Sequence, residues 1–304
     1  MGFRAWRESR RALDVAWDCG IDRFDLARSY GYGQAEALFR GFARGRRHRI
    51  FIATKFGIDP DPSLKANAIR LLRGGTAGLR HLRWPFSRCE DRENPLSPHW
   101  SAARLRASLE RSLRELGTDW IDFLWLHSPP QGIVRNEALF AELDRLASSG
   151  LIRGYGLSTG ADRGARELAE LPWAIGAIQH PFCPLTGDTA KIDLPSVQIV
   201  VNHIFGGRGT LANGARLITG LRNDQAIPPE LREKLGEDGA GATLADILLN
   251  GALAASSAQY AVVSMFQPVH IAMNAQRAGN SRFTPEELKM LVSALSMSGS
   301  SERQ

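Results

Sequence analysis

Phe24–Phe39 reads FDLARSYGYGQAEALF, and Ile50–Gly57 reads IFIATKFG. In the second stretch Lys55 follows four residues with the apolar character of a buried strand, and in the first Asp25 and Tyr30 flank the end of another apolar run. A third such run, IDFLWLHSPP, starts at Ile121 and ends on His127. An acid, a phenol, an ammonium and an imidazole thus each stand where an apolar strand empties into a loop. In a barrel of parallel strands, that rim is where chemistry is carried out.

The four residue types form a coherent set. A free tyrosine keeps its proton to about pH 10, and a nearby lysine stabilises the phenolate and lowers that value. Lys55 is the candidate for this task on Tyr30. A lysine buried at a strand end needs a compensating carboxylate, for which Asp25 is suited. His127 can orient a substrate oxygen by a hydrogen bond. Each residue alone has an ordinary structural explanation: an aromatic in a glycine turn, as for Tyr32, a surface cation, a satisfied histidine. Lys55 is the less ordinary because the chain has only five lysines among 38 basic residues, so arginine is its default surface cation.

Apolar runs near 21–27, 50–54, 121–127, 154–158, 174–179, 197–201 and 260–263 predict strands. Between and beside them, 9–19, 33–46, 101–117, 135–149, 161–170, 241–257 and 268–278 carry helical spacing. The alternation predicts an α/β fold, a single (β/α)8 barrel over residues 1–304 in which the first of eight strands is short or vestigial. MGFRAW stands in the place of that strand, interrupted by Arg4. Thr284, ahead of Pro285, Glu286 and Glu287, predicts the capped start of a closing helix over 284–295, with a frayed tail after Ser296. Two long loops interrupt the rhythm. The loop at 56–100 holds LKANAIRLLRGG and is expected to overhang Tyr30; that at 205–240 holds FGGRGTLANG and a Pro-Pro pair.

The 304 residues are 43% hydrophobic and 23% charged, the composition of an ordinary globular protein with length enough for a large core. No apolar stretch reaches membrane-spanning length, and the start lacks the apolar segment of a signal peptide, so a cytoplasmic location is expected, with no membrane partner. Cys19, Cys89 and Cys183 show no metal-ligand spacing, and their odd number fits a reduced compartment. No metal site is expected. The net charge of +6 does not imply nucleic acid, because the arginines alternate with glutamates along amphipathic helices such as SAARLRASLERSLREL. Attraction of an anionic substrate or a cofactor phosphate is the more modest expectation.

Taken in order, DLARSYGYGQAE, ATKFG, ASLERSLRELGTDWIDFLWLH and LIRGYGLS resemble the aldo-keto reductase superfamily, over most of the chain. The resemblance implies a barrel oxidoreductase that moves hydride between NADPH, or NADH, and the carbonyl carbon of a small molecule. It carries that family's catalytic tetrad onto Asp25, Tyr30, Lys55 and His127, with Tyr30 as general acid and base.

On the cofactor side the pattern diverges. The family's Ser-Asn pair is Ser158 and Thr159 here, while the glutamine of the following strand is Gln179. His203 stands where a stacking tyrosine is usual, followed by Gly206, Gly207, Arg208 and Gly209 as a pyrophosphate cradle. Ser264 replaces a glycine, Met265 and Met273 fall at polar adenosine positions, and His270 and Asn274 keep the pattern. The helix start near Pro268 can offer N–H groups to an anion. These departures keep open an alternative, a lyase, dehydratase or isomerase that uses the same acid-base set without nicotinamide. A non-catalytic binding barrel is a third class, disfavoured by the intact quartet. Substrate, direction and oligomeric state are not specified by the sequence.

Overall fold

The structure, a computed structural model, describes residues 6–60, 93–160, 175–192, 194, 196–206, 214–237, 239–264 and 266–301. The expected helix at 161–170, most of the 56–100 loop including LKANAIRLLRGG, Cys89, the vestigial first strand at residues 1–5, Gly207, Arg208, Gly209 and Met265 lie outside them. All seven expected strands are present: β1 (Arg23–Asp25), β2 (Phe51–Phe56), β3 (Phe123–His127), β4 (Tyr155–Ser158), β5 (Ala177–Pro181), β6 (Gln198–Asn202) and β7 (Tyr260–Ala261). They form one sheet in chain order, and the pairs β1–β2, β2–β3, β3–β4 and β6–β7 are parallel. No helix among the described residues is long and apolar enough to cross a membrane.

By its contacts the chain divides into two compact units, the first centred on residues 1–159 and the second on 178–263 and 272–304. In the first, α1 (Trp6–Asp18), α2 (Ala35–Ala43), α3 (Ala102–Leu116) and α4 (Glu137–Ser148) alternate with β1 to β4. Leu105, Leu109, Ser112 and Leu116 bury the stripe of α3, the three-to-four-residue spacing that its sequence displays. Ser101 caps its start by accepting from Arg104 N–H, and Gly117 ends it at φ 66° in the left-handed conformation that glycine adopts without strain.

Register explains what the sheet does with its two faces. Asp25 pairs with Ala53, Lys55 with Trp125 and His127 with Ser158. Side chains alternate along a strand, so Asp25, Lys55, Trp125 and His127 fall on one face, and Phe24, Ile52, Thr54, Leu124 and Leu126 on the other. The second face is the apolar one, where Phe24 packs 5.0 Å from Phe39 and 5.1 Å from Phe42 of α2, ring to ring.

Arginine is used for more than solvation. At the amino ends of β2 and β3, Arg47 pairs with Asp122 at 2.8 Å and lies 4.1 Å over the Trp120 ring. Arg49 covers Trp17 at 4.8 Å, and Arg46 covers Phe42 at the same distance. Several of the basic residues are thus committed to ion pairing and ring packing at this structural end of the strands.

In the second unit, α5 (Gly214–Asn223), α6 (Pro229–Lys234), α7 (Ala240–Ser256) and α9 (Pro285–Ser301) surround a core containing Ile218, Leu231, Leu244, Ile247, Leu248 and Leu291; the intervening α8 is Pro268–Arg277. The 205–240 segment therefore contains two helices, α5 and α6, and the Pro-Pro pair starts α6 with Pro229 at its first position. Helix α9 continues past Ser296 to Ser301 instead of fraying there. Its predicted start has both halves of a capping box: Glu287 N–H donates to Thr284 Oγ1 at 3.2 Å, and Thr284 N–H to Glu287 Oε2 at 2.8 Å. Thr284→Ala should therefore cost about 1 kcal/mol and lower the melting temperature in calorimetry. An unchanged melting temperature would show that the cap contributes nothing.

Candidate active site

Strand ends β1, β2 and β3 bring Asp25, Lys55 and His127 to one rim, and the turn after β1 adds Tyr30. The backbone there is unusual. Gly31, Tyr32 and Gly33 have φ of 58°, 58° and 80°, so the chain turns sharply in the left-handed region directly after Tyr30. Tyr30 N–H closes the preceding turn, Ala27–Tyr30, on Ala27 O at 3.0 Å.

Lys55 has a side chain 1% exposed and forms an ion pair with Asp25. Its ammonium also donates to Leu26 O at 3.1 Å. The same ammonium lies 5.2 Å from the centre of the Tyr30 ring, and the rings of Tyr30 and His127 meet edge-on at 6.1 Å. All four tetrad candidates are thus neighbours within the first unit.

The electrostatics differ from the sequence expectation. Burial raises the Tyr30 pKa well above the usual tyrosine range, and the Asp25 carboxylate raises it further. The Lys55 ammonium, paired with Asp25 and bonded to Leu26 O, does not outweigh these two effects. Burial pushes Lys55 down from the ordinary lysine value, with Asp25 opposing the shift. Tyr30 in the free protein is therefore a firmly held proton donor rather than a poised phenolate. One Asp25 oxygen, Oδ1, is buried without a hydrogen-bond partner among the described residues.

Beneath the rim lies a polar layer that the sequence reading did not single out. Thr54, on the helix-facing side of β2, donates to Glu36 Oε1 of α2 at 2.6 Å. Burial raises the Glu36 pKa, while Thr54, Ser112 and Arg28 oppose it. Arg28 is itself buried and donates to Ser108 O at 3.2 Å. Its position within DLARSYGYGQAE was the available signal: two charged residues, Arg28 and Glu36, flank the turn inside otherwise buried sequence.

The cofactor candidates are placed as follows. Ser158 ends β4 and is buried, as is Thr159; the Ser158 carbonyl accepts from Ser128 N–H at 2.7 Å. Gln179, in β5, is also buried. His203 follows β6 with φ 57°, is exposed, and shares a 2.7 Å hydrogen bond with Asn202 Oδ1. Ser264 is exposed just after β7. In α8, His270 is exposed and Asn274 buried.

Removing Asp25's charge acts on both titrating neighbours in the same direction. Asp25→Asn takes away the carboxylate that disfavours the phenolate and the carboxylate that favours the ammonium, so the pKa values of Tyr30 and Lys55 should both fall. Tyrosinate absorbance, titrated against a Tyr30→Phe reference, should show the Tyr30 step moving to lower pH. A Tyr30 step that stays in place or rises in Asp25→Asn would contradict the geometry.

The family model described as "Aldo/keto reductase family" matches residues 5–296. A D-threo-aldose 1-dehydrogenase from a Pseudomonas species is 25% identical over 289 residues, 89% of this chain and 83% of that protein. The aldo-keto reductase YhdN of Bacillus subtilis is 27% identical over half of this chain, which spans only 37% of that relative's length. Among solved structures, an aldo/keto reductase from Klebsiella pneumoniae in complex with NADP and acetate superposes with a TM-score of 0.61 at 19% identity, over 97% of this chain and 88% of that one. The fold class is the (β/α)8 barrel of these neighbours. From the extent of the family match, the chain belongs to the aldo/keto reductase family.

Proposed function

We propose that the chain is an NADP(H)-dependent oxidoreductase acting on a small-molecule carbonyl or the corresponding alcohol, with Asp25, Tyr30, Lys55 and His127 as its catalytic set. The observation that carries this reading is the convergence of the four side chains at the carboxyl ends of β1 to β3, with Lys55 buried against Asp25 and Tyr30 beside both Lys55 and His127. The match to the family over both compact units supports treating residues 1–304 as one functional domain.

The residues present suit a nicotinamide dinucleotide in part. Ser158, Thr159 and Gln179 are buried polar groups at or near the ends of β4 and β5, and hydroxyls and an amide are suitable partners for a carboxamide. His203, with an exposed ring, is the candidate stacking surface, and Ser264, His270 and Asn274 are the candidates on the adenosine side. Gly207, Arg208 and Gly209 remain the proposed pyrophosphate cradle. NADPH is the preferred cofactor because a family neighbour was solved with NADP. When bound, the dinucleotide supplies a hydride to the carbonyl carbon.

The chain's own residues then manage the oxygen. His127 orients it. Tyr30 holds a proton at neutral pH because burial opposes the phenolate, and it passes that proton to the oxygen as negative charge grows there. Lys55, beside the Tyr30 ring, offsets the charge left on the phenolate, while Asp25 fixes where the ammonium sits. Oxidation of an alcohol runs through the same transition state in reverse.

Tyr30→Phe tests the acid role. Turnover of a panel of small aldehydes and aldoses should fall roughly a hundredfold or more, with NADPH affinity nearly unchanged. Retained turnover would place the proton donor elsewhere. Calorimetry with NADPH should give micromolar or weaker binding, about −8 kcal/mol or less in magnitude, because several adenosine contacts depart from the family pattern. Absence of heat at millimolar NADPH and NADH would favour a cofactor-independent lyase, dehydratase or isomerase on the same scaffold.

A further inference from the structure

Residues Asn94–Ser101 lie beside the rim, and buried contacts fasten them to the end of β2 and to the start of α4. His99 Nε2 lies 2.8 Å from Gly57 O, two residues beyond Lys55. Asn136, in the loop that follows His127, donates from Nδ2 to Pro95 O at 2.7 Å and to Trp100 O at 3.1 Å. The same Asn136 caps α4 by accepting from Leu139 N–H at 3.0 Å, so its side chain is committed at both ends. His99, Trp100 and Asn136 are all buried.

The glycine makes this attachment possible. Gly57 has φ 120°, and a Cβ there would run into the Trp100 ring and approach His127 O to 3.1 Å. Trp100 therefore fills the space that Gly57 leaves open, with its ring also edge-on to Phe56 at 5.5 Å. The end of the Lys55 strand is in this way packed on one indole and tied by His99 to a segment that Asn136 holds at the start of α4, with the His127 carbonyl alongside Gly57.

We propose that Gly57, His99, Trp100 and Asn136 form a positioning staple for the reaction, holding the Lys55 and His127 strand ends in the relative placement that the acid-base set needs. This rests on the functional reading above. None of the four residues is assigned a part in the chemistry itself. Their effect is transmitted through the backbone of Gly57 and His127, and small displacements of catalytic groups are costly: about 1 Å can lower a rate on the order of a hundredfold.

Asn136→Ser is the cleanest test. Serine remains a good helix cap, so α4 is kept, while both amide donors to Pro95 and Trp100 are lost. Turnover of p-nitrobenzaldehyde with NADPH should fall roughly tenfold or more through kcat, with NADPH affinity unchanged. The His127 imidazole resonances, followed by NMR in the ligand-free protein, should shift. His99→Leu should act the same way, and His99→Gln, whose amide can also donate to Gly57 O, should restore most of the loss. If Asn136→Ser lowers only the melting temperature and leaves kcat and the His127 resonances in place, the staple is merely structural and the proposal fails. Should His99→Leu not fold, the comparison of Asn136→Ser with His99→Gln still decides. A Tyr30→Phe variant measured in parallel separates the two levels. If it retains activity, the catalytic reading is at fault, whereas the NMR shifts, which need no turnover, report on the staple alone.

Discussion

The buried ion pair between Lys55 and Asp25 is the constraint on which the rest of the site depends. Removing an ammonium from water costs several kcal/mol unless opposite charge and further hydrogen bonds replace the solvent. Here the replacement is one carboxylate and the Leu26 carbonyl. Both come from β1 and the residue after it, and Lys55 comes from β2, so the pair is satisfied only in the observed parallel register, with Asp25 opposite Ala53. A slip of one residue would turn Lys55 towards Phe39 and Phe42, the apolar layer under the sheet. The charge therefore specifies the alignment of the first two strands as well as the environment of Tyr30.

The pair also divides the labour around Tyr30. Had the ammonium been free, it would have lowered the phenol's pKa; with Asp25 attached, the net local charge is small and burial dominates. The phenol is kept neutral in the free protein, and any attraction of the lysine for a phenolate acts against these larger opposing effects. One layer below, beneath the turn that carries Tyr30, Thr54 donates to Glu36, Ser112 and Arg28 favour the Glu36 carboxylate, and Arg28 reaches Ser108 O. Acid-base groups are set on strand ends whose supporting layer is itself hydrogen-bonded, an arrangement that limits how far they can wander.

Much of this was legible in the sequence because strand ends advertise themselves. An apolar run closing on a charged or titratable residue, as in IFIATK or IDFLWLH, identifies both the strand and the face on which its last residue lies. The seven strands were read for that reason, and the start of the closing helix from Thr284 ahead of Pro285, Glu286 and Glu287. The two helices within 205–240 were not, since their apolar positions are interrupted by Pro228, Pro229 and several charges. The sign of the Tyr30 shift was also missed. It depends on how deeply the ring is buried and on which partner occupies the ammonium, and neither is written in local spacing. The hydrogen bonds of His99 to Gly57 and of Asn136 to Pro95 and Trp100 span 36 to 42 residues of sequence, beyond the reach of periodicity.

The central claim is that Asp25, Lys55 and Tyr30 act as one unit in moving a proton. It is tested most directly by single-turnover rates across pH for Lys55→Met, Asp25→Asn and the double variant. If the residues serve one task, the double variant should be less impaired than the product of the two single losses, with Lys55→Met shifting the phenolate-dependent oxidative step to more alkaline pH. Fully multiplicative losses, together with an unmoved pH dependence in Lys55→Met, would contradict the account.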